Sequence, residues 1–236
     1  LFPEFVASPI PFTCCKGVFD TPGAEHALAW MLALTRNVVY DVQHRSTRDY
    51  VYGSPTELRG KTLGIVGLGR IGRELARLAQ CFGMRVMAVR RTEPNNAPHV
   101  DKMLRADDLP ILLRESDFVA VAVPNTATTR GIIGAAELNL MKPSAYLIDI
   151  SGRDVLYDLD ALADALYEQR IAGASLQMGI PPDDSRLWEL DRFHLSFHRA
   201  TSSEENIRWI DLFTENIRRF QAGDPLLSLV DKHAGY

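Results

Sequence analysis

The chain has 236 residues, of which 46% are apolar and 24% charged, and 26 basic against 30 acidic side chains give a net charge of −4. This composition excludes an intrinsically disordered chain and disfavours a basic nucleic-acid-binding protein. No apolar run reaches the roughly 18 residues that a membrane-spanning helix needs. The cysteines Cys14, Cys15 and Cys81 show no metal-ligand spacing, so we predict no metal site and free thiols in a reducing cytoplasm. Because the chain begins at Leu1 without a signal-peptide pattern, we expect a removed start or a piece of a longer protein.

The first predicted element is a helix over residues 22–37. Thr21 stands where a capping residue is preferred, and Pro22 stands at the first helical position. Apolar residues recur at helical spacing on nearly every face, which predicts burial on several sides, between domains or between subunits. Residues 38–60 are polar and aromatic and predict a helix end followed by a loop.

From residue 62 onward, short apolar runs alternate with amphipathic stretches, a pattern typical of a parallel sheet with helices on both faces. Ser202 and Glu205 form a capping-box pair before a last helix that Gly223 and Pro225 end. The sequence therefore predicts an α/β fold with a doubly wound parallel sheet of the Rossmann type. The predicted strands are 62–66, 85–89, 118–123, 145–150, 171–176 and 194–197, and the predicted helices include one after the first strand, 159–168 and 203–221.

A glycine-rich loop follows the first predicted strand and opens a helix. Gly67 permits a tight turn, Gly69 lets the backbone approach a pyrophosphate, and Gly72 lets helix and strand pack closely. The N–H groups at the start of such a helix face the phosphates. The loop therefore predicts a dinucleotide site, and the alternative is an ordinary turn with chance glycines.

The end of the second predicted strand indicates which dinucleotide is bound. An acidic residue about 20 positions past the loop accepts hydrogen bonds from the ribose of NAD, but this chain has Arg90, Arg91 and Thr92 there. A guanidinium suits a 2′-phosphate, so we predict NADP(H) in preference to NAD(H), with NAD(H) still possible. The alternative is a pair of solvated arginines, with Glu93 serving the ribose.

Several segments together match one known pattern. They are residues 18–28, residues 58–72 with the glycine loop, residues 124–131, residues 141–148, and Leu187-Trp188 with the later His198. These segments resemble the D-isomer-specific 2-hydroxyacid dehydrogenases over nearly the whole chain. The resemblance implies reduction of 2-keto acids to D-2-hydroxy acids, or the reverse, by hydride transfer at a nicotinamide. It implies an arginine that holds the substrate, a histidine that donates the proton, and a glutamate that keeps the histidine protonated.

The resemblance makes Arg153 the substrate-holding arginine. Arg153 lies just past a predicted strand, where ligands bind in open α/β sheets, and its fork suits a carboxylate. The run from Asp149 to Arg153 carries one residue more than the family pattern, so that without a gap Gly152 would take the arginine's place. The alternative is a surface arginine in a turn. The resemblance also implies cofactor contacts from Arg70, Ile71, Val123, Pro124, Thr129, Ile150 and Gln177, the last of which replaces a family aspartate near the nicotinamide amide.

His198 is the proton donor that the resemblance implies, because an imidazole titrates near neutral pH. The alternative is a histidine satisfied by the backbone at a helix start, and His194 is interpreted as structural. The family glutamate falls at Pro182, which cannot pair with a histidine. Asp183 either takes over that role or proton transfer is impaired.

The resemblance also divides the chain. It implies that residues 1–17, with a short strand at Ile10–Thr13, are a remnant of a substrate-binding lobe. Residues 18–202 would form the dinucleotide-binding domain, and residues 203–236 would return toward the first lobe. The apolar helix 22–37 resembles the family's dimer-forming element, so we predict a homodimer, with burial inside one chain as the alternative. The predicted function is an NADPH-dependent reductase of glyoxylate or hydroxypyruvate, and the alternative is a dinucleotide-binding sensor or interaction protein.

Overall fold

The computed structural model describes residues 2–46, 55–91, 97–178, 180–197, 200–202 and 204–233. Within these residues, seven strands form one sheet in the order β3-β2-β1-β4-β5-β6-β7, and every neighbouring pair is parallel. The chain moves outward from β1 to β3 and then returns to β4, so the order reverses between β1 and β4. This confirms the doubly wound sheet. The strands are β1 Thr62–Val66, β2 Arg85–Arg90, β3 Lys102–Arg105, β4 Phe118–Val121, β5 Tyr146–Asp149, β6 Gly173–Leu176 and β7 Phe193–Leu195.

Eight helices accompany the strands in the described part of the chain. They are α1 Pro3–Ala7, α2 Asp20–Thr35, α3 Val38–His44, α4 Arg70–Cys81, α5 Leu109–Glu115, α6 Ala135–Leu138, α7 Leu159–Tyr167 and α8 Glu205–Ala222. None of the described helices is long and apolar enough to cross a membrane.

Two apolar layers cover the sheet. On one face, α2 and α4 pack on Leu63, Ile65 and their neighbours, and on the other face α5, α6 and α7 pack around Val119 and Leu147. Because successive strand residues point to opposite faces, continuous apolar strands are what a sheet buried on both sides requires. The predicted strands are confirmed, although most are shorter than predicted.

The start of the first long helix differs from the prediction. Helix α2 begins at Asp20, with Phe19 as its N-cap, and ends at Thr35. Pro22 is tolerated in the first turn because N–H groups there have no partner inside the helix. At the other end, the hydroxyl of Thr35 donates to the carbonyl of Met31 at 2.8 Å.

The predicted loop after this helix was wrong over part of its length, because Val38–His44 forms helix α3. Asn37 takes a left-handed conformation, with φ 59°, which turns the chain and lets a new helix start. Four of the seven α3 residues are Val or Tyr side chains with weak helix propensity, and no apolar stripe marks the segment. Strand β3 and helix α5 were also not predicted, because both are short and carry charged residues.

The two ends of the described chain lie together. The predicted strand Ile10–Thr13 is wrong, since Thr13 makes an isolated bridge with Leu229 and helix α1 precedes it. The N–H of Val230 donates to the carbonyl of Phe12 at 2.8 Å, and Lys232 donates to backbone carbonyls of residues 5–10. The division of the chain at residues 17 and 202 stays a prediction.

Helix α8 has the predicted apolar stripe and the predicted end. Gly223 takes φ 74°, the left-handed conformation that commonly ends a helix. The side chain of Glu205 accepts the N–H of Ser202 at 3.0 Å, which is one half of the predicted capping box. The side chains of the stripe are between 44% and 67% exposed, so they are not part of the described core. They are Ile207, Ile210, Phe213, Ile217 and Phe220.

Candidate active site

The glycine loop has the geometry that the sequence pattern indicates. Gly67 takes φ +100°, and a Cβ there would lie 2.7 Å from the carbonyl oxygen of Ala122. A Cβ on Gly72 would lie 2.5 Å from the carbonyl oxygen of Gly67, whereas one on Gly69 would have no described atom within 4 Å. The loop therefore needs glycine at 67 and 72 for its own packing, and at 69 it leaves open space beside the backbone.

Helix α4 begins directly in this loop. Gly69 is its N-cap and has no side chain to accept hydrogen bonds from the first turn, so the backbone N–H groups there suit an anion. The Arg70 side chain is held elsewhere, since its Nε donates to Asp20 Oδ2 at 2.7 Å and so joins α4 to α2. The backbone N–H groups of residues 69–72 can therefore bind a pyrophosphate. The Arg70 side chain instead links the two helices.

A cleft of about 230 Å³ opens beside this loop at the carboxyl ends of β4 and β5. This carboxyl-edge cleft lies where parallel α/β sheets bind ligands. Its walls include Ile71, Val123, Pro124, Ile150, Ser151 and Arg153. The structure thus brings together four predicted cofactor residues and the predicted substrate arginine.

Arg153 lines this cleft despite the extra residue before it. Gly152 takes φ +67°, a conformation that glycine adopts without strain. This left-handed turn directly precedes Arg153, whose N–H donates to Ser151 Oγ at 3.3 Å. Arg153 is exposed, so its guanidinium is accessible from solvent.

The buried carboxylate of Asp149 is a site residue that the sequence reasoning missed. Asp149 is 1% exposed and accepts hydrogen bonds from the N–H groups of Ser151 and Gly152, at 2.9 and 3.2 Å, and from the Ser151 hydroxyl. It also accepts from the Tyr157 hydroxyl at 2.7 Å. Burial raises the pKa of Asp149, while these donors oppose the rise. Burial, together with the neighbouring Asp149 charge, raises the pKa of Tyr157 well above its usual value. The sequence signal that could have identified Asp149 is an acidic residue at the end of an otherwise apolar strand.

Gln177 is buried and held at two points. Its backbone N–H donates to Asp149 Oδ2 at 3.2 Å, and its side-chain Oε1 accepts the N–H of Ala200 at 3.1 Å. The side chain therefore lies next to the turn at Gly152, where a Cβ would be 3.3 Å from Gln177 Nε2. Its predicted cofactor contact stays a prediction.

Thr129 closes the loop that follows β4. Its hydroxyl donates to the carbonyl of Pro124 at 2.6 Å and accepts the N–H of Thr126 at 2.9 Å. The loop therefore holds Pro124 against the carboxyl-edge cleft.

Arg90 ends β2 beside the glycine loop. The N–H of Gly67 donates to the carbonyl of Val89 at 3.1 Å, so Arg90 follows the residue that the loop contacts. Arg90 is half-buried and lies opposite Arg105 in the strand register, and Arg91 is exposed. Thr92 and Glu93 lie outside the described residues.

The proposed proton donor, His198, also lies outside the described residues. Ser196, two residues earlier, is described and is fixed by three contacts. The N–H of Ser196 donates to the Leu176 carbonyl at 2.9 Å, and its hydroxyl lies 3.0 Å from both His26 Nε2 and Trp30 Nε1. These contacts tie the segment before His198 to β6 and to α2.

His194 and Asp183 have different surroundings. His194 lies in β7, is 9% exposed and stacks on Trp30 with ring centroids 5.2 Å apart, and burial lowers its pKa. This arrangement fits the structural role that we predicted. Asp183 is exposed in the loop after β6 and makes no hydrogen bond or ion pair with the described part of the chain.

Two of the larger grooves in the described part of the chain lie away from this chemistry. One, of about 430 Å³, includes Tyr40, Tyr146 and Arg192 at the amino ends of the strands, opposite to the edge where such sheets bind ligands. The other, of about 490 Å³, lies along α4, where Arg70 pairs with Asp20 and Arg77 pairs with Glu74. The smaller carboxyl-edge cleft is therefore the candidate active site.

A sequence profile described as the NAD-binding domain of D-isomer specific 2-hydroxyacid dehydrogenases matches residues 28–200. The chain belongs to this family of oxidoreductases. Among curated relatives, the glyoxylate reductase of Pyrococcus furiosus is 39% identical over 229 residues, which cover 91% of this chain and 67% of the relative.

Solved structures of family members superpose closely. An NADPH-dependent glyoxylate/hydroxypyruvate reductase from Sinorhizobium meliloti, in complex with NADP and sulfate, has a TM-score of 0.86 at 25% identity, covering 98% of this chain and 74% of that chain. A D-isomer specific 2-hydroxyacid dehydrogenase from Xanthobacter autotrophicus, in complex with NADPH and MES, has a TM-score of 0.86 at 28% identity. That alignment covers 99% of this chain and 98% of that chain. The dinucleotide-binding fold of this chain is thus the family's fold.

Proposed function

We propose that this chain is an NADPH-dependent 2-keto-acid reductase of the glyoxylate or hydroxypyruvate reductase kind. The observation that carries the proposal is the carboxyl-edge cleft, in which Arg153 lies with Ile71 of the glycine loop and Val123 of the loop after β4. A cation beside a dinucleotide loop suits a small anionic substrate. The relative from Pyrococcus furiosus is described as a glyoxylate reductase, which supports this substrate class.

The preference for NADP(H) rests on Arg90 and Arg91 at the end of β2. A guanidinium donates to a phosphate but cannot accept a hydrogen bond from a ribose hydroxyl. The contact between Gly67 and Val89 puts this strand end next to the pyrophosphate loop. The solved relatives from Sinorhizobium meliloti and Xanthobacter autotrophicus are described as complexes with NADP and NADPH, which supports the same choice.

In this proposal each residue has one task. The bound dinucleotide supplies a hydride to the keto carbon. Arg153 binds the substrate carboxylate and keto oxygen, which orients the carbonyl and stabilises the charge that develops on its oxygen. His198 donates a proton to that oxygen, so that the product is a hydroxy acid. Asp183 is the proposed partner of His198, in the role of the family glutamate.

A second candidate function is a dinucleotide-binding sensor without efficient turnover. One observation favours it: Pro182, which cannot pair with a histidine, stands where the family glutamate falls, and Asp183 beside it is exposed. Without a carboxylate, His198 would lose the partner that keeps it protonated. An Asp183→Asn variant with an unchanged pH–rate profile would remove Asp183 from the mechanism.

The test of the proposed function measures binding and turnover separately. NADPH affinity is followed by its fluorescence, and turnover by the absorbance of the reduced nicotinamide with glyoxylate, hydroxypyruvate and pyruvate. We expect Arg153→Gln to lower kcat/KM by at least about tenfold, because a hydrogen bond to a charged group contributes about 1.5–3 kcal/mol. Arg186→Gln is the matched control, since Arg186 is also exposed but pairs with Asp164 away from the cleft. Tight NADPH binding with no turnover would favour the sensor.

We also propose a homodimer. Leu32, Ala33 and Leu34 on α2 are half-buried, while Ala27 and Met31 on the same helix are completely buried inside the chain. An apolar helix whose surface is only partly buried favours an interface in which a second copy of the chain buries the rest. A monomeric mass by light scattering at micromolar concentration would contradict the dimer.

A cytoplasmic location is the related proposal. Cys14, Cys15 and Cys81 are all free thiols, and free thiols are typical of a reducing compartment. Fractionation of cells that express the tagged chain would test it, and recovery outside the cytoplasmic fraction would contradict it.

A further inference from the structure

The carboxylate of Asp149 contacts the start of the loop that carries Arg153. Its Oδ1 accepts the N–H and the hydroxyl of Ser151, and its Oδ2 accepts the N–H of Gly152 at 3.2 Å. Both residues directly precede Arg153 in the chain. The direction in which the arginine leaves the sheet therefore depends on this carboxylate.

The same carboxylate is connected to the segment around His198. Asp149 Oδ2 accepts the N–H of Gln177 at 3.2 Å, and Gln177 Oε1 accepts the N–H of Ala200 at 3.1 Å. On the other side of His198, the N–H of Ser196 donates to the carbonyl of Leu176, the residue before Gln177. Residues 196 and 200 are therefore both attached to the chain at 176–177.

We propose that Asp149 is a positioning residue that holds residues 151–153 and, through the chain at 176–177, Ser196 and Ala200 in one fixed relation. Asp149 is 1% exposed, so it acts through its hydrogen bonds and not by contact with substrate. The role of Asp149 in catalysis rests on the proposed function, whereas its hydrogen bonds do not depend on that proposal.

A carboxylate suits this position better than an amide. All of its partners are donors: three N–H groups and two hydroxyl groups. An asparagine would turn an amide nitrogen toward two or three of these donors, because only one of its two terminal atoms accepts hydrogen bonds. Each carboxylate oxygen accepts at least one N–H of residues 151–152, so Asp149→Asn keeps the size of the side chain and breaks a hydrogen bond to that segment whichever way the amide is turned.

Tyr157→Phe is the matched control. It removes one hydrogen bond from the same carboxylate, the 2.7 Å bond from the Tyr157 hydroxyl, and leaves the bonds of that carboxylate to Ser151, Gly152 and Gln177 in place. Both variants lose a buried hydrogen bond, so both are expected to lower thermal stability. Only Asp149→Asn is expected to displace residues 151–153.

The kinetic test uses the full chain with NADPH and the keto acid that the wild type reduces. We expect kcat to fall about 100-fold in Asp149→Asn, the size expected for a small misplacement of reacting groups, with NADPH affinity retained and with Tyr157→Phe close to wild type. The double variant of Asp149→Asn and Gln177→Ala should lose little more than Asp149→Asn alone, because the residues act as one unit. A double variant whose fold-loss in kcat equals the product of the losses in the two single variants, or a normal kcat in Asp149→Asn, would overturn the proposal.

Hydrogen exchange gives a readout that does not depend on turnover. In Asp149→Asn we expect the amides of residues 151–153 to exchange at least about tenfold faster, and in Asp149→Ala, which removes both acceptor oxygens, we expect the same of the amide of residue 200. In Tyr157→Phe we expect all of these amides to exchange as in the wild type. Unchanged exchange at residues 151–153 in Asp149→Asn, or at residue 200 in Asp149→Ala, would overturn the connection. A wild type that binds NADPH and reduces no keto acid would instead contradict the proposed function, with the exchange result unaffected.

Discussion

The carbonyl oxygen of Gly67 and the Cα of Gly72 are so close that a Cβ on Gly72 would lie 2.5 Å from that oxygen. The first turn of α4 thus packs directly against the end of β1. This packing aims the start of the helix at the crevice between β1 and β4.

Gly72→Ala should therefore disturb both folding and binding. We expect the free energy of unfolding to fall by about 1–3 kcal/mol, because the backbone must shift to admit the methyl group. NADPH affinity should fall as well, since the helix start moves. Urea unfolding and NADPH fluorescence titration measure the two effects.

Gly69→Ala is the matched control for that prediction. Its Cβ meets no described atom within 4 Å, and φ −80° is compatible with alanine, so stability should stay near that of the wild type. NADPH affinity should fall nevertheless, because the methyl group occupies the space proposed for the pyrophosphate. Unchanged affinity in Gly69→Ala would contradict the proposed cofactor site.

Arg90→Ser tests the choice of dinucleotide. The dissociation constant for NADPH should rise about tenfold or more, the effect of losing a charge-assisted hydrogen bond, while the constant for NADH changes little. The comparison is Arg114→Ser, which removes an exposed arginine from the end of α5. Equal affinity of the wild type for NADPH and NADH would contradict the preference.

His194 should make stability depend on pH. Burial lowers the pKa of His194 and of His26 below the ordinary value of 6.5, so the unfolded chain binds more protons than the folded one. The free energy of unfolding should then fall as the pH falls below about 6.5. His194→Gln should make this fall shallower between pH 7 and pH 5 in urea unfolding, and an unchanged slope would contradict the prediction.

Ser175→Ala should stabilise the protein. The Ser175 hydroxyl is completely buried in β6 and has no hydrogen-bond partner among the described residues. Removing a buried unsatisfied hydroxyl should raise the free energy of unfolding by about 1 kcal/mol. Ser116→Ala is the comparison, because the Ser116 hydroxyl donates to the Leu112 carbonyl at 2.6 Å and its loss brings no such gain.

The strands and the glycine loop were predictable because their signals are local. Val66 precedes Gly67 directly, and the alternation of apolar strands with amphipathic helices extends through the chain. Helix α3 and strand β3 were not predictable on the same ground. Each is short and carries no strong apolar pattern of its own: strand β3 is held by its pairing with β2, and helix α3 buries none of its residues.

The amino-acid sequence alone determined the family and the doubly wound sheet, because both depend on residue types at fixed spacing. The tertiary structure decided that Arg153 lines the carboxyl-edge cleft, directly after the left-handed turn at Gly152. It also decided that the carboxylate of Asp149 contacts Gln177, which is 28 residues further along the chain. Contacts of this kind depend on which strands become neighbours in the sheet. The spacing of residues along the chain does not specify that order.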